Sequence, residues 1–137
     1  MLDRMATPER VRATVGSYVE LLGAGEQDKW VELFAEDATV IDPVPSSPHV
    51  GRAAIGAFWT GLSGMADRLT LHQRALHVCG TEAALVYTLT LETDGGAGTE
   101  LDGVEIFTVN DQGLITSARA YWDPRELRRI DPTADRL

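Results

Sequence analysis

A chain of 137 residues, 44% apolar and 24% charged, has the composition of one soluble globular domain. A chain of that size buries roughly 70% of its unfolded surface. Its formal charge of -9 and pI of about 4.7 repel phosphate backbones and anionic lipid, which sets nucleic acid and a membrane surface aside as partners. Cys79 is the only cysteine, so neither an internal disulfide nor a cysteine-built metal cluster can form.

The N-terminal MLDRMATPER lacks an apolar run of signal-peptide length, which points to a cytoplasmic protein. Thr7, Pro8 and Glu9 predict a helix start: a capping hydroxyl, a proline at the first helical position and an acid at the positive end of the dipole. Val11, Val15, Tyr18, Val19 and Leu22 recur at helical spacing until Gly23 to Gly25 end the run. A second short helix is predicted in QDKWVELFAED, with Trp30, Leu33 and Phe34 on one side. ATVID, residues 38–42, is a β-branched strand that stops at Pro43, and PVPSSPHVG after it is a loop. In RAAIGAFWTGL, Ile55, Phe58, Trp59 and Leu62 fall at helical spacing and predict a third helix.

From about Leu69 the period changes to two. LTLHQRALHV, ALVYTLTLE, ELDGVEIFTV and LITSARAYW are strand-like runs separated by turn signals. Three helices and a short strand followed by four antiparallel strands is an α+β order in a single domain, residues 1–137. A strongly curved antiparallel sheet closed at one end by helices makes a cone with an apolar pocket. The segment 125–137 reads as a tail, and Arg125, Arg128, Arg129 and Arg136 as a solvated cluster within it. His49, His72 and His77 have neither the HExxH spacing nor flanking carboxylates, so no metal and no cofactor are expected.

One residue breaks the strand pattern. Leu101, Gly103, Glu105, Phe107 and Val109 share a face, and that face is otherwise apolar. A two-residue loop at Asp111 and Gln112 would place Val109 opposite Leu114, Glu105 opposite Ala118 and Trp122 opposite Leu101. Arg119 then points to the other face, and Glu105 has no cation in view. A register shifted by one residue would pair the two instead. An unpaired carboxyl in apolar surroundings keeps its proton to higher pH and becomes a hydrogen-bond donor.

Three stretches resemble the bacterial Δ5-3-ketosteroid isomerases of the nuclear-transport-factor-2-like superfamily. They are SYVELLGAGE, LFAEDATVIDPVPSSPHVGRAAIGAFW and the last hairpin through ARAYW. The resemblance spans roughly Val11 to Trp122. It implies the cone-shaped fold of that superfamily and a cofactor-independent shift of a C=C bond in a small apolar ketone such as a steroid. It also implies Asp42 as general base, Tyr18 as an oxyanion donor, and Glu105 as the protonated acid that is the second donor. Trp122 matches a tryptophan that walls the base. Phe58, Trp59, Leu22, Tyr87, Gly103 and Ala118 are the expected substrate-contacting residues, with the small ones leaving the pocket open.

The family forms homodimers through the outer sheet face, here Val104, Ile106 and Tyr121. Two departures stand out. The second donor is Glu rather than Asp, one methylene longer, and Phe34 and Trp59 replace tyrosines that support the catalytic one in a branch of the family. The superfamily also holds cyclases, epoxide hydrolases and binding modules, and these remain open at this point.

Overall fold

Helix α1 (Pro8–Ala24) begins at Thr7, whose side chain accepts a hydrogen bond from the backbone N–H of Arg10 at 3.1 Å, and ends at Gly25 in the left-handed conformation. The computed structural model describes residues 5–131. Val11, Val15, Tyr18 and Leu22 are all buried, so the helix lays one stripe on the sheet. Helix α2 (Gln27–Val31) is a short turn that buries Trp30, and α3 (Arg52–Ser63) buries Ile55 and Trp59.

The strand after α2 starts four residues earlier than its sequence suggests. Strand β1 runs Phe34–Ile41, taking in FAED, which the helical reading had claimed. Tertiary pairing overrides local propensity here: Phe34 lies opposite Ile115, and the Ile115 N–H donates to the Leu33 carbonyl at 2.8 Å. A two-residue strand β2 (His49–Val50) forms inside the proline-rich loop and pairs with Thr39 and Val40. The long strands are β3 (Arg68–Cys79), β4 (Glu82–Glu92), β5 (Gly98–Val109) and β6 (Ile115–Tyr121).

The sheet order is β2-β1-β6-β5-β4-β3. It is mixed rather than wholly antiparallel, because β1 runs parallel to β6. The chain from β1 to β6 passes through α3 and four strands, a connection long enough to allow a parallel neighbour. The tail also departs from expectation. After β6 a single 3-10 turn (Pro124–Glu126) leads into β7 (Arg128–Ile130), which pairs with β5 at Gly98–Glu100 along the edge that β6 leaves free. Arg128 donates to Glu100 at 2.9 Å and to Asp102 at 2.7 Å, and Arg125 to Asp123 at 2.8 Å. Arg125, Arg128 and Arg129 are solvent-exposed, as a solvated cluster requires, though Arg125 and Arg128 each hold a carboxylate; Arg136 lies outside the described residues.

The last hairpin sets the site. Glu105 pairs with Ala120 and Phe107 with Ala118, two residues along from the simple two-residue loop. The loop is longer because the Asn110 side chain accepts from the N–H groups of Gln112 and Leu114, both at 3.0 Å. Gly113 then turns the chain at φ 81, and the ladder is irregular between Thr108 and Val109. A shift of two preserves the faces. Glu105 stays inward at 3% exposure, while Arg119 lies opposite Ile106 on the outer face, over the Tyr121 ring. Trp122 falls just beyond the strand instead of opposite Leu101.

Gly113→Ala is expected to lower stability by about 1–2 kcal/mol, the cost of a side chain in the left-handed region, because a Cβ there also meets the Arg10 side chain. Urea unfolding followed by circular dichroism measures it, with the slope unchanged.

Candidate active site

Helical spacing on α1 brings Tyr18 over the middle of β5, and strand parity points Glu105 up at it. The Tyr18 hydroxyl lies 3.2 and 3.3 Å from the two carboxyl oxygens of Glu105. Both side chains are buried, at 6% and 3% exposure, and no salt bridge among the described residues reaches Glu105. Aromatic rings surround the pair. Tyr18 has Phe107 at 4.8 Å, Trp30 at 5.4 Å and Phe34 at 6.3 Å between ring centroids, and Trp30 stacks in turn on Trp59 at 4.8 Å. The hydroxyl of Tyr18 thus bonds to Glu105, and among the described residues no tyrosine hydrogen-bonds to it.

Asp42 sits one residue past the end of β1, at the cis peptide before Pro43. The indole N–H of Trp122 donates to its carboxyl at 2.6 Å. Trp122 thus holds the carboxylate in place as well as walling it.

Burial and the charge of Asp42 push the Glu105 carboxyl well above its ordinary range, and the Tyr18 hydrogen bond opposes this only in part. Asp42 is also raised by burial, but the Trp122 hydrogen bond and the nearby His49 pull it back. Tyr18 is raised far above the ordinary phenol value by burial and by the fields of Glu105 and Asp42, so it stays a neutral donor. Two carboxyls in one cavity are thereby held differently: Glu105 to keep its proton, Asp42 closer to ionisation.

The cavity has two parts. An inner chamber of about 20 Å³ is lined by Tyr18, Glu105, Leu22, Trp30, Trp59 and Leu71. An outer chamber of about 270 Å³ is lined by Trp122, Leu91, Leu101, Met65, Thr99 and Leu127, among others. Asp42, Phe58, Leu62, Tyr87 and Leu89 border both. The walls are mostly hydrocarbon with a few polar groups at depth, the usual constitution of a small-molecule pocket.

Of the residues singled out from sequence, Tyr18, Asp42, Glu105, Trp122, Phe58, Trp59, Leu22 and Tyr87 come together on this cavity. Gly103 and Ala118 do not line it. Ala118 is fully buried between Val40 and Phe107 in neighbouring strands. Gly103 lies opposite Tyr87, and a Cβ there would fall 2.6 Å from the Tyr87 hydroxyl, so the glycine makes room for that ring. Leu89 and Leu91 went unnoticed although they share the face of Tyr87 at a period of two. His49, which packs on Phe58 at 4.8 Å and acts on Asp42, gave no sequence signal, nor did Met65 and Leu127. Among the described residues no group of three or more His, Cys, Asp or Glu side chains is placed to hold a metal ion, and no helix is long and apolar enough to cross a membrane.

A SnoaL-like domain matches residues 15–118, most of the chain. The protein belongs to the SnoaL-like family. It is 30% identical over 117 residues to a steroid Delta-isomerase of Nocardioides simplex, covering 85% of this chain and 93% of that one. It is 34% identical over 121 residues to the epoxide hydrolase LasB of Streptomyces lasalocidi, covering 83% of this chain but 42% of LasB. The crystal structure of RV0760c from Mycobacterium tuberculosis in complex with estradiol-17beta-hemisuccinate superposes with a TM-score of 0.78 at 28% identity, over 87% of this chain and 98% of that one. The SnoaL-like family member described here thus shares its nuclear-transport-factor-2-like fold with enzymes of more than one chemistry.

A raised folded-state pKa makes stability pH-dependent in a known direction. The native state holds the Glu105 proton between the ordinary value of 4.5 and the higher folded value, so the unfolded state binds fewer protons there. Its contribution is full below 4.5 and is lost as pH rises through the folded value. Glu105→Gln removes that titration. The stability difference, variant minus native, is expected to grow in the variant's favour from pH 4.5 upward, as read from urea midpoints across pH.

Proposed function

We propose that this protein is a cofactor-independent steroid delta-isomerase, with Asp42 as base and Tyr18 and protonated Glu105 as oxyanion donors. The observation that carries this reading is the buried Tyr18–Glu105 pair, free of any cation, in one apolar cavity with the Trp122-held carboxylate of Asp42. Similarity to a steroid Delta-isomerase and to a steroid-bound structure supports the substrate class.

The substrate is a β,γ-unsaturated 3-ketosteroid. Its carbonyl oxygen lies in the inner chamber against the Tyr18 hydroxyl and the Glu105 O–H. Asp42 takes a proton from the carbon between carbonyl and alkene, and the C–H electrons move to form a dienolate. Negative charge collects on the oxygen, where two pre-placed donors in a dry site stabilise it more than they stabilise the ground-state ketone. The Asp42 carboxylic acid then returns the same proton two carbons along, giving the conjugated enone with the carboxylate restored. The apolar walls keep the proton from exchanging with water. No redox partner, metal or cofactor enters the balance.

The longer Glu side chain still brings both carboxyl oxygens to 3.2 and 3.3 Å from the Tyr18 hydroxyl. A related reading, the epoxide-opening or cyclising chemistry suggested by LasB, would use Asp42 as base too. Hydrolysis of that kind calls for an Asp-Arg-Asp arrangement, and among the described residues no arginine lines either chamber.

The assay is spectrophotometric, following the conjugated enone formed from a Δ5-3-ketosteroid. Turnover in the native protein should fall by about 10²–10⁴ in Asp42→Asn, the worth of a positioned base, and by about 10²–10³ in Glu105→Leu, the worth of one oxyanion donor. Absence of turnover above buffer in the native protein would sink the reading.

We place the protein in the cytoplasm, where its exposed free thiol Cys79 is stable, and read it as a homodimer. The outer face carries half-buried Val104 and Ile106 beside Tyr121, which is 42% exposed. Arg119 lies among them over the Tyr121 ring, and a face that mixes apolar and charged groups in this way can be covered by a second copy. Light scattering after size exclusion is expected to give a dimer mass, and Tyr121→Glu a monomer.

A further inference from the structure

Two polar groups of the inner cavity have no task in isomerisation: the indole N–H of Trp30, buried without a partner among the described residues, and the hydroxyl of Tyr87, which also borders the outer chamber. Tyr87 is 3% exposed, and among the described residues its hydroxyl makes no hydrogen bond. The ring is buried but its hydroxyl has no partner among those residues and faces the cavity, where a ligand oxygen can supply one. The strand has spent a glycine on it: Gly103, directly across from Tyr87, leaves the space in which the hydroxyl end of the ring lies, and any larger residue would displace it. Tyr18 and Glu105 are close enough to act on it electrostatically, yet neither is within hydrogen-bond distance of its hydroxyl. Along β4, the residues sharing its face are Leu85, Leu89 and Leu91, all hydrocarbon.

Its depth in the pocket is informative. Tyr18 and Glu105 line the inner chamber alone, whereas Tyr87 and Asp42 border both chambers. A ligand whose carbonyl oxygen reaches Tyr18 and Glu105 and whose reacting carbons reach Asp42 must therefore pass Tyr87 with the rings just outward of those carbons. Burial of the ring above all, then the nearby carboxyls of Glu105 and Asp42, keeps the phenol un-ionised, hence a donor.

We propose that the Tyr87 hydroxyl recognises a second oxygen on the substrate, so that the enzyme is selective for ketosteroids oxygenated on the rings next to the reacting one. The inference rests on the steroid isomerase reading and narrows it. The chemical logic is asymmetric. A site built to hydrogen-bond a substrate oxygen discriminates strongly against the analogue that lacks it, because its own buried polar group is then left unpaired. Tyr87 is a specificity residue in this account and takes no part in proton transfer.

Tyr87→Phe tests it, since the ring stays over Gly103 and the packing survives. Binding is followed by quenching of the intrinsic fluorescence of Trp30, Trp59 and Trp122, which line the cavity. The probes are a parent 3-ketosteroid and derivatives hydroxylated once on the second or the third ring. In the native protein at least one hydroxylated probe should bind more tightly than the parent. In Tyr87→Phe that probe should lose about tenfold or more in affinity, the scale of one buried hydrogen bond, while the parent changes by less than about twofold. Equal losses for parent and derivatives, or no loss for any, would overturn the proposal while leaving the isomerase reading intact. If the native protein binds none of the steroids, the steroid reading fails and this inference falls with it.

Discussion

A carboxyl group at 3% exposure, bonded to a phenol and to no cation, is the constraint around which this interior is arranged. Removing a carboxylate from water costs far more than one neutral hydrogen bond returns, so the group keeps its proton over a wider range of pH. That outcome depends on everything near it. Strand parity turns Glu105 inward, the hairpin leaves Arg119 on the far face, and α1 delivers Tyr18 rather than a charged residue to the spot. The aromatic cradle of Phe107, Trp30 and Phe34 excludes water from the pair. Substituting a lysine or arginine anywhere on this wall would convert a donor pair into an ion pair and change the chemistry on offer.

The second carboxyl shows what the first would be in another setting. Asp42 is half-buried, takes a short hydrogen bond from Trp122 and feels His49, so its charged form has support that Glu105 lacks. The charge of Asp42 raises Glu105 further, after burial, and environment decides which of the two keeps its proton. In the proposed mechanism these two like groups take opposite parts in the proton balance, Asp42 accepting and Glu105 donating. The outer chamber adds the apolar volume, and β7 helps to frame its mouth: Leu127, the residue before β7, reaches the lining, and the Arg128 fork onto Glu100 and Asp102 ties that segment to β5.

Local rules carried the sequence a long way. Helix α1 was legible from its cap, its proline and the spacing of Val11 to Leu22, and the inward face of β5 from simple alternation. The start of β1 was not, because FAED has no strand pattern of its own and is drafted into the sheet by pairing with β6. The hairpin register was missed by two residues, since the side chain of Asn110 and the left-handed Gly113 built a longer turn than the NDQG signal suggests. An even error preserves parity, which is why the placement of Glu105 survived it. Gly103 and Ala118 were read as pocket-openers, yet one accommodates a ring and the other fills the core. The tail was illegible because its order comes from ion pairs with β5, distant in sequence and invisible to charge pattern alone.

The central claim is that Glu105 is a neutral acid in the working protein. Labelling the glutamate side-chain carboxyls with ¹³C, assigning Glu105 by its loss in Glu105→Gln, and following its chemical shift with pH tests this directly. The account requires the protonated shift to persist through neutral pH, with no inflection near the ordinary value of 4.5. An ionised shift at neutral pH, with an inflection close to that ordinary value, would contradict it and return Glu105 to the status of a solvated carboxylate.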